Sequence, residues 1–244
     1  MCKLFVSFVG WQPNNSFKPT PCRGVGYVLY ATLARVRRPA TGRLNSSVRP
    51  QENMTISAIN EMKDRISRAL ITAQRASGYG YQVSYKAYPQ EFTTNFNAEG
   101  VKSPEQIEDD FLSLFVWVWS LKDYIKSAFI AHGLQGEIVE HEVNSCPALT
   151  YVADIANRTK HGTLNKSRSG QHAELVDVGF TVPQSAIQRI TFAGPNLTLE
   201  VSTPEQVEIH AWVVTKSGVR TEALDILTQA MNCWEGKLLP QIAA

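Results

Sequence analysis

The sequence predicts an α+β fold: a helical bundle of three helices plus a C-terminal helix, with a three- to four-stranded antiparallel meander inserted before the last helix. Three observations predict it. Apolar residues recur at three- and four-residue steps in three stretches between residues 54 and 162 (Ile59 to Ala73, Ile107 to Phe129 and Leu149 to Ala156), the spacing that lines one face of a helix. Across 173–215 the pattern changes to alternation, the period of a half-buried strand. Over 220–239 the helical spacing returns. Strands do not alternate with helices, which argues against a βαβ arrangement, and no internal repeat is present.

The first helix runs from Ser57 to about Ala76, with Ile59, Met62, Ile66, Leu70 and Ala73 on one stripe and Gly78 and Gly80 ending it. Residues 79–103 hold Tyr79, Tyr81, Tyr85 and Tyr88 without a stable period and read as a partly extended connection. Ser103-Pro104-Glu105-Gln106 is a helix start: Ser as N-cap, Pro in the first helical position and Gln completing a capping box. Behind it Ile107, Phe111, Leu114, Phe115, Val118, Leu121, Ile125 and Phe129 hold a period near 3.6 as far as Gly133, a long buried helix that should organise the core. Trp117 and Trp119 flank that stripe and are available to neighbouring helices or a second copy.

Asn144-Ser145-Cys146-Pro147 starts a shorter helix with Leu149, Val152, Ile155 and Ala156 on its stripe, ending at His161-Gly162. Alternation then marks Val176/Val178/Phe180, Ile190/Phe192, Leu197/Leu199/Val201 and Val207/Ile209/Ala211/Val213, separated by Gly194-Pro195-Asn196 and Ser202-Thr203-Pro204 turns. The last helix, Thr221 to about Leu238, carries Leu224, Leu227, Met231, Trp234 and Leu238 and stops at Pro240.

Charge divides the chain. Residues 1–51 contain eight basic side chains and no acidic one, leaving 16 basic and 22 acidic residues in the other 193. Five of the twelve prolines also fall in the first 50 residues. Three explanations compete: a targeting peptide, a nucleic-acid-binding arm, or upstream DNA read through to an early start codon. The apolar start (Leu4, Phe5, Val6, Phe8, Val9) lacks an Ala-x-Ala-type cleavage site close behind it. Asn14-Asn15-Ser16-Phe17-Lys18-Pro19-Thr20-Pro21-Cys22-Arg23-Gly24 resembles the translated repeat that flanks bacterial integron gene cassettes, over roughly residues 12–50. That resemblance favours the third explanation. The expected division is therefore a basic, disordered or spurious extension at 1–53 and a single domain of about 190 residues at 54–244.

Composition excludes several classes. The longest apolar candidate for a membrane span, Phe111 to Leu121, is 11 residues and contains a serine pair, Ser113 and Ser120, against the ~18 a span needs. Cysteines at 2, 22, 146 and 233 form no CxxC pair, so neither a zinc ribbon nor a disulfide scaffold is indicated, and Cys146 and Cys233 read as packed thiols. The histidines at 132, 141, 161, 172 and 210 lack HxxxH or HExxH spacing. His141, between Glu140 and Glu142, reads as part of a solvated charged loop, and His210 as facing solvent. No GxSxG, phosphate-loop or dinucleotide fingerprint occurs. No cofactor and no metal are expected.

Chemistry concentrates at the third helix and the loop behind it: Asp154, Asn157, Arg158, Lys160, His161, Lys166, Arg168 and His172, with no acidic residue between Asp154 and Glu174. At 100° per residue, Asp154 and His161 differ by about 20° and Arg158 and His161 by about 60°. A carboxylate, an amide, a guanidinium and an imidazole therefore share overlapping sectors. The plain structural account is an Asp154–Arg158 ion pair four residues apart, with Lys160 and His161 favourable in the last turn.

Asn157-Arg158-Thr159-Lys160-His161 resembles the second half of the HEPN motif, Arg-Asn-x-x-x-His, over helical context spanning about 104–162. Membership implies a small helical bundle that commonly dimerises and, in active members, metal-independent ribonuclease chemistry. In that chemistry the His is acid or base at the ribose 2′-hydroxyl and the Arg steadies phosphate charge. Carried across, Asn157 and His161 match, whereas the motif's Arg falls on Ala156. Arg158 is then the available guanidinium. The stretch Ala153-Asp154-Ile155-Ala156-Asn157 with Lys160-His161 also resembles one in bacterial proteins of similar layout.

A nuclease needs an imidazole able to move a proton, a guanidinium in fork geometry on phosphate and further cations to admit RNA. The expectation is thus a cytoplasmic bacterial protein of mobile-cassette origin. RNA binding or weak metal-independent cleavage would be carried by His161, Arg158 and Asn157, with Lys160, Lys166, Arg168 and His172 as nucleic-acid contacts. The alternative is a non-enzymatic homodimeric interaction module.

Overall fold

The computed structural model of the chain describes residues 5–9, 56–87 and 92–243. In order these form β1 (Phe5–Val9), α1 (Ile56–Gln74), β2 (Tyr81–Ala87), β3 (Phe92–Glu99), α2 (Pro104–Ala131), α3 (Glu137–Ser145) and α4 (Pro147–His161). Then follow β4 (Glu174–Pro183), β5 (Ile187–Ala193), β6 (Asn196–Val201), β7 (Glu208–Val214), β8 (Arg220–Glu222), α5 (Ala223–Cys233), a π-helical turn (Trp234–Leu238) and α6 (Leu239–Ala243). The class is α+β, and β4 to β7 lie where alternation predicts them, whereas β8 occupies residues expected to start the last helix, and α6 carries helix through Pro240, its expected stop. Of the expected 1–53 extension, only Phe5–Val9 falls among the described residues; its backbone pairs antiparallel with β4, Phe5 opposite Pro183 and Val9 opposite Gly179. The cassette-like stretch 12–50 lies outside them.

Helix α2 organises the core. All eight residues of its expected stripe are buried, and Trp119 and Ala128 join them. Its start is the one the sequence spells: Gln106 N–H donates to Ser103 Oγ (3.2 Å), and Ser103 N–H donates to Gln106 Oε1 (3.0 Å). Two helix-start donors that have no partner within the helix are thereby paired. Phe111, Phe115, Phe129, Phe180 and Trp234 are its largest fully buried neighbours and members. Among the described residues, no helix is long and apolar enough to cross a membrane.

The strands do not form one meander. They divide between two four-stranded sheets, ordered β1-β4-β7-β8 and β2-β3-β6-β5. The stretch read as a connection at 79–103 contains a hairpin, β2–β3, with Val83 opposite Phe96. The β5–β6 hairpin leaves β4 and β7 to join it, β6 running parallel to β3 with Phe96 beside Leu197. Tyr81 spans the two sheets, its ring against Phe96 in one and edge-on to Phe180 in the other. The outward face of the second sheet is a polar ladder: Ser84 Oγ donates to Asn95 Oδ1 (2.7 Å), Asn95 Nδ2 to Asn196 Oδ1 (2.8 Å) and Asn97 Nδ2 to Thr198 Oγ1 (3.3 Å).

Three further expectations are corrected. The loop expected around His141 is helix α3, whose buried residues are Val139 and Val143. His210 is half-buried rather than facing solvent. Cys146 and Cys233 are joined in a disulfide across 87 residues of sequence; spacing cannot reveal such a pair, because the fold alone brings the two helix ends together.

Candidate functional site

Helix α4 starts with Pro147 in its first turn and ends at Gly162, whose φ of 71° is the left-handed turn that glycine adopts without steric cost. Between these ends it buries Ala148, Leu149, Val152, Ala153, Ile155 and Ala156, and with them Asp154 at 0% exposure. A carboxylate out of water must be hydrogen-bonded, and Asp154 is. Ser167 Oγ (2.6 Å), Ser169 Oγ (2.5 Å), Arg168 N–H (2.6 Å) and Ala173 N–H (3.4 Å) all donate to it. The loop then ties onto its own serines: Gln171 N–H donates to Ser169 Oγ (2.9 Å) and His172 N–H to Ser167 Oγ (3.0 Å). His172 is held at φ 50°, a conformation that L side chains rarely adopt. The segment between α4 and β4 has no helix or strand, yet one carboxylate gathers it into a fixed shape.

That clamp overturns the expected Asp154–Arg158 ion pair. Asp154 turns inward beneath the loop, while Arg158 reaches the start of β4, its Nη1 3.0 Å from Glu174 Oε2. Arg158 Nε is buried and has no hydrogen-bond partner among the described residues. Ala156, at the motif's arginine position, is fully buried. Asn157 is half-buried; Lys160, His161, Lys166 and His172 are exposed. Among the described residues, no hydrogen bond or ion pair joins His161 to Arg158 or Asn157. The helix-wheel sectors are right, but α4 leaves the core along its length, so residues sharing a sector do not share an environment.

Arg168 belongs to a different group, one that sequence reasoning missed. Its Nη2 lies 2.5 Å from Glu140 Oε2, its Nε donates to Asn144 Oδ1 (2.9 Å) and its guanidinium lies 5.2 Å from the Trp119 ring centre. Lys122 (3.2 Å) and Lys126 (3.3 Å) of α2 reach the same Glu140, and Lys122 also covers Trp119 at 4.9 Å. Burial pushes the Glu140 carboxyl up, but hydrogen bonds from Arg168, Lys122 and Lys126 and the Lys122 charge outweigh it and bring it down to about 2. The available signal was Lys122 and Lys126, four apart on α2; their partner was hidden because α3 did not read as a helix.

No family model, curated protein or solved structure matches this chain. The site's chemistry therefore rests on its geometry. Both acids bordering the basic segment are occupied, Asp154 by the loop and Glu174 by Arg158, while among the described residues Lys160 and Lys166 enter no ion pair. A positive field at a rigid helix-loop junction can hold phosphate. The arrangement does not by itself assemble an imidazole and a guanidinium about one reacting atom.

Proposed function

We propose that the chain binds RNA along the end of α4 and the clamped loop, Lys160 and Lys166 holding backbone phosphates with His161 and His172 beside them. The observation that supports this is the fixed loop itself: a buried carboxylate shapes a segment whose exposed cations, among the described residues, have no carboxylate partner. Binding residues are commonly carried on loops that a rigid scaffold positions. Cleavage is the weaker part of the HEPN-like expectation, because Ala156 is in the core and Arg158 is paired.

Fluorescence anisotropy with a labelled single-stranded RNA tests the proposal. Lys160→Ala with Lys166→Ala should weaken binding about tenfold near 0.1 M salt and flatten the slope of log affinity against log salt by about 1.4, since each neutralised single-strand phosphate contributes about 0.7. Equal affinity and equal slope for the two proteins would reject it. The RNA should remain intact; turnover that disappears in His161→Ala and Arg158→Ala would replace binding with a nuclease assignment.

A second reading, a non-enzymatic module that pairs with another copy of itself, is favoured by the outer faces of α1, α2 and α5. They border an apolar groove of about 210 Å³ lined by Ile66, Leu70, Leu114, Val118, Leu227 and Met231. On the same helices Ile71 is 50% and Trp117 37% exposed. Light scattering should give a dimer at micromolar concentration that Trp117→Lys dissociates; a monomer in the parent protein rejects this reading.

A further inference from the structure

The Cys146–Cys233 bond joins two places where regular helix is interrupted. Cys146 is the junction between α3 and α4, acting as N-cap of α4 without a side-chain hydrogen bond. Cys233 is the last residue of α5, and the next five residues form the π turn, a feature that recurs at functional sites. Trp234, first in that turn, is fully buried, and its indole Nε1 has no hydrogen-bond partner among the described residues. The two sulfurs differ in access: Cys146 is 5% exposed, whereas Cys233 is half-buried. Apolar residues from every described helix, Val139 and Val143 of α3 included, pack continuously around α2, and a chain of this size does not need a staple to fold.

We infer that Cys146 and Cys233 are a reversible thiol–disulfide switch, exchanging two electrons with a low-molecular-weight disulfide of the glutathione type. In oxidation, the accessible Cys233 loses its proton to water and its sulfur attacks the small disulfide. One small thiolate leaves and a mixed disulfide remains on Cys233. The Cys146 sulfur, deprotonated in turn, attacks Cys233 Sγ; the internal bond forms and the second small thiolate departs. The balance is protein dithiol plus small disulfide giving protein disulfide plus two small thiols. Reduction retraces the path. A small thiolate attacks Cys233 Sγ, and the negative charge leaving on Cys146 Sγ develops at the positive end of the α4 dipole.

The test uses the full chain with Cys2→Ser and Cys22→Ser, so that only this pair reports. It is equilibrated at a series of reduced-to-oxidised glutathione ratios, quenched, and labelled with a polymer-tagged maleimide that shifts the gel band once per thiol. The expected result is a single transition from no labelled thiol to two, reached from either direction. Trp234 emission should rise as the neighbouring disulfide opens, a change that Trp234→Phe removes. Mass spectrometry should find one glutathionyl group on Cys146→Ser and none on Cys233→Ser. Two thiols that label at every ratio would overturn the inference, as would a bond that resists reduction while the protein stays folded. So would glutathionylation confined to Cys146. The wild-type pair titrates without either single variant, so the result does not depend on their folding.

Discussion

Asp154 spends its hydrogen-bonding capacity on four donors at once, so its replacement is felt at each of them. Asp154→Ala should cost on the order of 3 kcal/mol, because two serine hydroxyls and two amides lose a charged acceptor in a dry site. Urea unfolding measures the loss, and limited proteolysis should then cut between residues 162 and 173. Asp154→Asn should recover only part of it, since an amide nitrogen cannot accept from Ser167 or Ser169. Glu140 makes an acid-side prediction. Its carboxyl falls from 4.5 to about 2 on folding, so the unfolded chain takes up the proton first as pH drops. The stabilisation is complete above about 4.5 and is lost as pH falls toward 2. Glu140→Gln should flatten the stability profile in that window. His210 acts at higher pH: burial lowers it, with Arg220 adding and Asp177 opposing. The folded state therefore favours the neutral ring, and its contribution fades as pH falls through about 6.5 and below. His210→Gln should remove that slope from denaturation curves taken between pH 7 and 5.

At the scale of elements, what the sequence disclosed follows how many apolar side chains each element commits to the core. Helix α2 buries a whole stripe and announces its start with a capping box, so it was legible. Helix α3 buries only Val139 and Val143 amid charge, too little for a period to emerge. The β2–β3 hairpin was hidden differently. Its buried side rests on Phe96 and Ala98, and its other side is the Ser84–Asn95–Asn196 ladder, which in one dimension reads as loop. Strand β5 errs in the opposite sense. Ile190 and Phe192 alternate as a half-buried strand should, yet Phe192 is 77% exposed, because β5 is an edge and that end of the sheet extends past the core. Phe192→Thr should therefore change stability by less than about 0.5 kcal/mol, whereas Phe96→Ala should cost about 3–5 kcal/mol. Thermal unfolding of the two variants separates these outcomes; equal losses would mean that β5 is covered in solution. The site was legible to a similar degree. The basic segment and its helix were visible in the spacing, but which of Asp154 and His161 lies inside depends on the loop returning over α4, a tertiary event that no local pattern encodes.

For the whole molecule, the parallel pairing of β3 with β6 matters most. Asn95 and Asn196, hydrogen-bonded side by side, stand 101 residues apart. Everything from α2 to β5 is enclosed between them. During synthesis the β2–β3 hairpin leaves the ribosome with one edge of β3 unmatched, and its partner follows only after that whole interval is made, about 5–20 s later at ordinary elongation rates. Throughout that delay the open strand is a template for any other extended chain nearby. Expression yield should thus depend on translation speed and chaperone supply more steeply than the finished protein's stability would suggest, and fragments ending before residue 196 should collect in inclusion bodies.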